Sequence, residues 1–210
     1  MLQQFKEFLQ QTGLQSLPGK KAHQKMIPVP LNKKFILPDT DSETGRKSGV
    51  LIPLYPGKDD EIEVILTLRT EDIRHAGQIS FPGGRCHINE TPEQAALREC
   101  CEEIGVRSEE VKITGSLSPF YLYRSDSRIF PYVGFMDKKP EMTRNPAEVE
   151  EIITVSLHRL WSGDDLKREE KHFEHNSFDV PYWDIHRVPL WGATAMIMSE
   201  LLEVYGKFLE

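Results

Sequence analysis

A chain of 210 residues, 39% hydrophobic and 28% charged, is long enough to bury a full core as one domain with room for an extension. Its formal charge of −7 argues against a nucleic-acid-binding surface, which needs a basic stripe, and requires local cations to draw in any anionic ligand. Its composition gives no membrane-spanning run of about 20 apolar residues, and the amphipathic start Met1–Leu9 lacks the apolar centre of a signal peptide. The three cysteines, Cys86, Cys100 and Cys101, are odd in number with two adjacent, which suits a reducing compartment better than a disulfide framework. The expectation is a soluble cytoplasmic protein without nucleic-acid or membrane partners.

Residues 2–11 read as a short helix with Phe5, Phe8 and Leu9 on one side. Residues 12–35 hold Gly13, Pro18-Gly19, Pro28 and Pro30, so this arm is expected to wrap over the domain as extended chain, with the main domain occupying residues 36–210. Val50–Leu54 and Glu63–Arg69 are β-like, separated by the turn-forming Pro56–Asp60. Residues 111–117, 129–135 and 151–156 read as further strands, and the densely charged 161–177 as a surface loop or irregular helix. Residues 193–208 place Ala195, Met198, Leu201, Leu202 and Tyr205 at helical spacing. The sum is a mixed sheet with helices on its faces, an α/β or α+β sandwich.

The chemistry concentrates in residues 81–106. Thr91 can cap a helix, Pro92 suits its first position and Gln94 can close a capping box. Gly105 fits its left-handed end. At about 100° per residue, Leu97, Cys100, Cys101 and Ile104 are expected on one side, with Glu99, Glu102 and Glu103 opposite. An acidic helix face is ordinarily just solvated. These carboxylates, however, repel one another by about 0.2–0.5 kcal/mol per pair, and Glu102 and Glu103 sit at the end where the macrodipole disfavours anions. A hard divalent cation, Mg²⁺ or Mn²⁺, would offset both costs. From the helix alone the two readings are balanced. The preceding Phe81-Pro82-Gly83-Gly84, which turns the backbone close to the carboxylates, makes it part of a site.

Gly84, Glu90, Arg98, Glu99, Glu102, Glu103 and Gly105, with Cys100 and Val106 in the two apolar positions, resemble the Nudix box. The resemblance implies the Nudix fold, a mixed β-sheet between helices, and attack of water on one phosphorus of a nucleoside diphosphate derivative. Upstream, the stretch from Ile65 through Arg69, Arg74, Gly77 and Phe81 to Gly84 is similar to the additional motif of coenzyme A pyrophosphatases. It departs from that motif at Ile65 and Thr70, and in having two residues rather than three between Arg74 and Gly77. Val50–Leu54, Phe130–Gly134, Asn145–Val149 and Trp191–Ala195 resemble the same subfamily, so the likeness runs over about residues 48–200.

By position, the resemblance makes Glu99 and Glu103 metal ligands, joined by the Gly83 carbonyl, with Glu102 a third ligand or the base that orients water. Arg98 would orient Glu90 or a metal-binding glutamate, its plainer role being an ordinary helix ion pair. Among Glu148, Glu150 and Glu151, Glu148 aligns best with a general base from outside the box, the alternative being a solvated acidic loop. Arg69 and Arg74 could grip phosphates, including the 3′-phosphate of coenzyme A, or be surface charge at a strand end. Phe81 is a candidate substrate contact, although Phe81, Phe120 and Tyr121 are more ordinarily core residues, and His75 a loop residue. The implied activity is Mg²⁺- or Mn²⁺-dependent cleavage of coenzyme A or its thioesters. The alternatives are hydrolysis of ADP-ribose, NADH or a dinucleoside polyphosphate, and a sensor that binds a nucleotide without turnover. A homodimer is expected from the resemblance alone.

Overall fold

Near-continuous apolar runs, buried on both faces of the sheet, build the centre of the molecule. The computed structural model describes residues 1–14, 16–32, 44–71, 77–173 and 176–210, with backbone only at 12 and 13. From the N-terminus come helix α1 (Leu2–Phe8), a π-helical turn (Leu9–Gly13), helix α2 (Lys20–Gln24) and strand β1 (Val29–Pro30). Strands β2 (Arg46–Pro56), β3 (Ile62–Arg69), β4 (Ile79–Ser80) and β5 (Gly83–Arg85) lead into helix α3 (Pro92–Ile104). Then follow β6 (Lys112–Ser116), β7 (Phe120–Leu122), β8 (Ser127–Phe135), β9 (Val149–Ser156), α4 (Leu157–Ser162), β10 (Leu166–Phe173), β11 (Asn176–Trp183) and α5 (Gly192–Leu209).

The main sheet runs β4-β3-β2-β8-β6, with β5 on β2, β7 on β8 and β9 on β3. The β2–β8 pair is parallel and the other pairs are antiparallel, so the sheet is mixed. Alternation along β2 and β3 sends Ile52, Leu54, Val64 and Leu66 to one face, where they join Phe5, Leu201 and Tyr205. Leu51, Tyr55 and Ile65 point to the other face and meet Ala96, Cys100 and Ile104 of α3. The sheet is therefore sandwiched between α3 on one side and α1 with α5 on the other. Arg69 shares the parity of Ile65, which puts it on the α3 side.

Two expectations give way. Residues 12–35 do not run simply as extended chain, because α2 forms beneath α5 and buries Ala22 and His23. Its anchor is Glu200 on α5, fully buried, which accepts from the Gly19 amide (3.0 Å), the Ser118 amide (3.1 Å) and the Ser118 hydroxyl (2.6 Å), and meets His23 Nε2 at 2.9 Å. The boundary expected at residue 36 lies outside the described residues.

The charged stretch 161–177 is not a loop. It holds the end of α4 and strand β10, which pairs antiparallel with β11 from Leu166↔Trp183 to Phe173↔Asn176. Paired charges take the place of apolar alternation on β10, Arg168 reaching Asp179 across the hairpin at 2.7 Å and Lys171 pairing with Glu169 along the strand at 2.7 Å. β11 supplies the buried side through Phe178, Val180 and Trp183.

Candidate active site

Helix α3 is fixed at both ends as its sequence dictates. Thr91 Oγ1 accepts from the Gln94 amide (3.2 Å), Gln94 Oε1 accepts from the Thr91 amide (2.9 Å), and Gly105 closes the helix at φ 75°. Its rotation differs from the expected one. Ala95, Ala96, Cys100, Glu103 and Ile104 are buried, while Cys101 is exposed. The cause is the close approach of α3 to β2. A Cβ on Gly49 would lie 1.7 Å from the Pro92 carbonyl oxygen, so only small residues fit that side, and the alanines turn inward. The Ala95–Glu99–Glu103 ridge, in steps of four, then runs along the edge of the buried face.

Arg98 fastens this arrangement. Its Nε and Nη2 donate to the two oxygens of Glu90 (2.7 and 3.1 Å), and Nη1 donates to Glu99 Oε1 and Glu102 Oε2 (both 2.8 Å). Nη2 also reaches the Arg85 carbonyl at 3.1 Å, which ties the helix to the glycine turn. This fork holds Glu90 far down the carboxylate range, at about 2. Beneath Glu99 there is no room for a side chain, since a Cβ on Gly84 would sit 2.3 Å from Glu99 Oε1.

Glu148 arrives from a distant part of the chain. The Asn145 amide donates to the Glu103 carbonyl (2.8 Å) and the Thr143 amide to that of Ile104 (2.9 Å), docking this segment on the end of α3. The turn after Asn145 then brings Glu148 within reach of the helix. Oxygens of Glu99, Glu103 and Glu148 lie within 4.8 Å of one another. The neighbouring Glu150 and Glu151 are drawn away by Arg187, each at 2.5 Å. The alignment favours Glu148 among these three glutamates, and the Arg187 pairing of the other two adds a physical reason.

Glu103 is the unusual member. It is 1% exposed, Arg69 Nη1 approaches its Oε1 at 3.3 Å, and its Oε2 has no hydrogen-bond partner among the described residues. Burial pushes its carboxyl up to about 8, with Arg69 and the Gly83 amide opposing the rise and Glu99 and Glu148 adding to it. Burial raises Glu99 as well, against the pull of Arg98. A buried carboxylate with a bare oxygen, converging with two others, is an oxygen-donor set suited to a hard divalent cation.

The remaining candidates fall as follows. Glu102 is not in the carboxylate group. It stands about 100° round the helix from Glu103, half exposed and paired with Arg98. Arg69 and Gly83 line the site, and Phe81 does so while 3% exposed in the core. Arg74 and His75 lie outside the described residues. The group opens into a cleft of about 440 Å³, whose far wall is Trp191, Ala193, Thr194 and Ile197 at the start of α5. That wall was visible in the sequence only as a resemblance, without a role. Arg85 and the serines 48, 125 and 127 also line the cleft but belong to no motif in the sequence, although Arg85 directly follows the motif's first glycine.

The fold agrees with comparison to known proteins. The chain belongs to the Nudix hydrolase family, whose members act on diphosphate bonds and generally use divalent metals, and the NUDIX domain model matches residues 45–177. It is 30% identical to Nudix hydrolase 3 of Caenorhabditis elegans over 90% of this chain and 80% of that protein. It is 30% identical to the mitochondrial Nudix hydrolase 15 of Arabidopsis thaliana, over 84% of this chain and 62% of that protein. With the peroxisomal coenzyme A diphosphatase NUDT7 of Mus musculus it shares 33% over 54% of this chain and 48% of that protein. The chain thus spans between about half and four fifths of these relatives' lengths. Among solved structures, the Nudix hydrolase RenU of M. smegmatis matches with a TM-score of 0.57 at 18% identity, covering 77% of this chain and 86% of that one, a likeness of fold. No helix among the described residues is long and apolar enough to cross a membrane.

Proposed function

We propose that this chain hydrolyses the diphosphate of coenzyme A or its thioesters, giving 3′,5′-ADP and 4′-phosphopantetheine or its acyl form. The observation that carries hydrolysis is the convergence of Glu99, Glu103 and Glu148 at the floor of an open cleft. Support for the substrate comes from the upstream Arg69–Phe81 pattern and from the name of the mouse relative. Glu99 and Glu103, with Glu148 and the Gly83 carbonyl beside them, would hold Mg²⁺ or Mn²⁺. Such an ion, when bound, neutralises the diphosphate and makes water acidic enough to attack at neutral pH.

The chain's own residues do the rest. Arg98 holds Glu99 and Glu90 in register, a positioning task suited to its planar fork. Arg69 steadies Glu103. Glu148 takes a proton from water at a carboxylate oxygen as that water's oxygen bonds to phosphorus and the bridging oxygen leaves with the other phosphate. Glu102 remains a reserve ligand that Arg98 holds outside the group.

The test is Mg²⁺- or Mn²⁺-dependent turnover of coenzyme A beside ADP-ribose and NADH, with products identified by mass spectrometry and Glu103→Gln as control. Release of 3′,5′-ADP from coenzyme A, absent in the control, is the expected result. Faster cleavage of ADP-ribose or NADH would keep the reaction and discard the substrate. Binding without any turnover would favour the sensor.

A further inference from the structure

Most cations at this site already have a carboxylate: Arg69 approaches Glu103, and Arg98 grips Glu90, Glu99 and Glu102. Arg85 differs. Half-buried in the cleft wall, its guanidinium makes one long contact, Nη2 to the Ser125 carbonyl at 3.4 Å, and has no carboxylate partner among the described residues. The backbone puts it there. Arg85 on β5 pairs with Ser48 on β2, which pairs in turn with Ile129 on β8, so the side chain spans one strand to reach the turn before Ser127. Ser48, Ser125 and Ser127 are 5%, 9% and 4% exposed and line the cleft; the Ser125 hydroxyl donates to the Leu122 carbonyl (3.5 Å) and that of Ser127 to the Ser125 carbonyl (3.1 Å), protons that would turn to a bound phosphate.

A guanidinium fork beside several hydroxyls is the chemistry that holds a phosphate. Two features say which phosphate. The diphosphate is matched by the Glu99–Glu103–Glu148 group and what that group holds, which leaves the positive charge of Arg85 over. A terminal phosphate monoester offers three free oxygens to a fork and hydroxyls, where each phosphate within a diphosphate diester offers two. We propose that Arg85, with Ser48, Ser125 and Ser127, forms a subsite for a phosphate monoester carried on the nucleoside part of the substrate. The inference rests on the proposed diphosphate hydrolysis and assigns its specificity to residues outside the carboxylate group.

The test measures binding of 3′,5′-ADP and of 5′-AMP by calorimetry in Mg²⁺ buffer; both carry the 5′-phosphate, which belongs at the carboxylate group, and only 3′,5′-ADP carries a second monoester for Arg85. Wild type is expected to bind 3′,5′-ADP about ten- to a hundredfold more tightly than 5′-AMP, the size of one or two charge-assisted hydrogen bonds. Arg85→Ala should bring that ratio to about one while leaving 5′-AMP affinity in place, and Arg85→Lys should keep part of it. Thermal melting establishes that each variant is folded. A ratio that survives Arg85→Ala, or a wild type without preference, overturns the subsite. Turnover of coenzyme A is scored separately. A protein that prefers 3′,5′-ADP through Arg85 but leaves coenzyme A intact keeps the subsite and loses the proposed substrate. One that cleaves coenzyme A with the ratio unaffected by Arg85→Ala does the reverse.

Discussion

Glu103 and Glu200 are both buried glutamates on helices that cover the same sheet, at 1% and 0% exposure. Glu200 meets two amides, a hydroxyl and an imidazole, and both of its oxygens are engaged. Glu103 has a long guanidinium contact at 3.3 Å and the Gly83 amide to lower its pKa, and its Oε2 has no hydrogen-bond partner among the described residues. A buried carboxylate whose oxygens are satisfied knits elements together, here α2, α5 and the segment before β7. One left unsatisfied is kept against its own cost and marks chemistry.

Replacing each in turn sharpens this contrast. Glu103→Gln should lower metal-dependent turnover on the order of 10²–10³-fold, while the metal-free protein folds normally. With its folded-state carboxyl raised from 4.5 to about 8, Glu103 holds a proton that the unfolded chain releases. The metal-free wild type should therefore lose stability as pH rises from about 4.5 towards 8, and the variant should lose less. Melting temperatures in chelator across that range check the sign. Equal slopes would mean that Glu103 is not the group responsible.

Glu200→Ala should do the opposite. It leaves His23, the Ser118 hydroxyl and two amides without an acceptor, costing about 3–5 kcal/mol of stability by chemical denaturation. The fraction still folded should turn over at the normal rate. A loss of kcat in that folded fraction would erase the distinction between the two glutamates.

Arg98→Ala comes next, with activity expected to fall about 10–100-fold because Glu99 loses its orientation. Glu90 should also return towards the ordinary carboxylate range. Its depressed value stabilises the fold above about 4.5 and ceases to as pH falls towards 2, so the variant should lose this acid-sensitive contribution. Glu102→Gln should be mildest, changing stability by under about 1 kcal/mol as an exposed pair does and reducing activity far less than Glu103→Gln. A matching loss would return Glu102 to the carboxylate group.

Local features were legible in the sequence. Thr91, Gln94 and Gly105 define α3 because capping depends on neighbours within a turn, and the central strands follow from short apolar runs bounded by turn residues. Adjacency of Glu102 and Glu103 was legible too, but not which of them faces inward. That depends on the helix resting against Gly49, more than forty residues away. Alignment favoured Glu148 over Glu150 and Glu151, but its approach to Glu99 and Glu103 depends on the docked Asn145 turn. β10 escaped detection because its partner strand carries the apolar residues. The family match at 45–177 covers the carboxylates but stops short of Trp191 and the α5 wall, so the two sides of the cleft have different sequence visibility.

Gly49 carries a consequence for how this site can change. Because Pro92 rests on its bare backbone, a methyl group there would lever the whole of α3 outward. Glu99 and Glu103 would retreat together from Arg69 and Glu148, their spacing along the helix intact. A chain with every residue of its signature in place could thus be silenced from a position the signature does not contain, while a substitution in the α5 wall would alter what is admitted and leave the carboxylates where they stand.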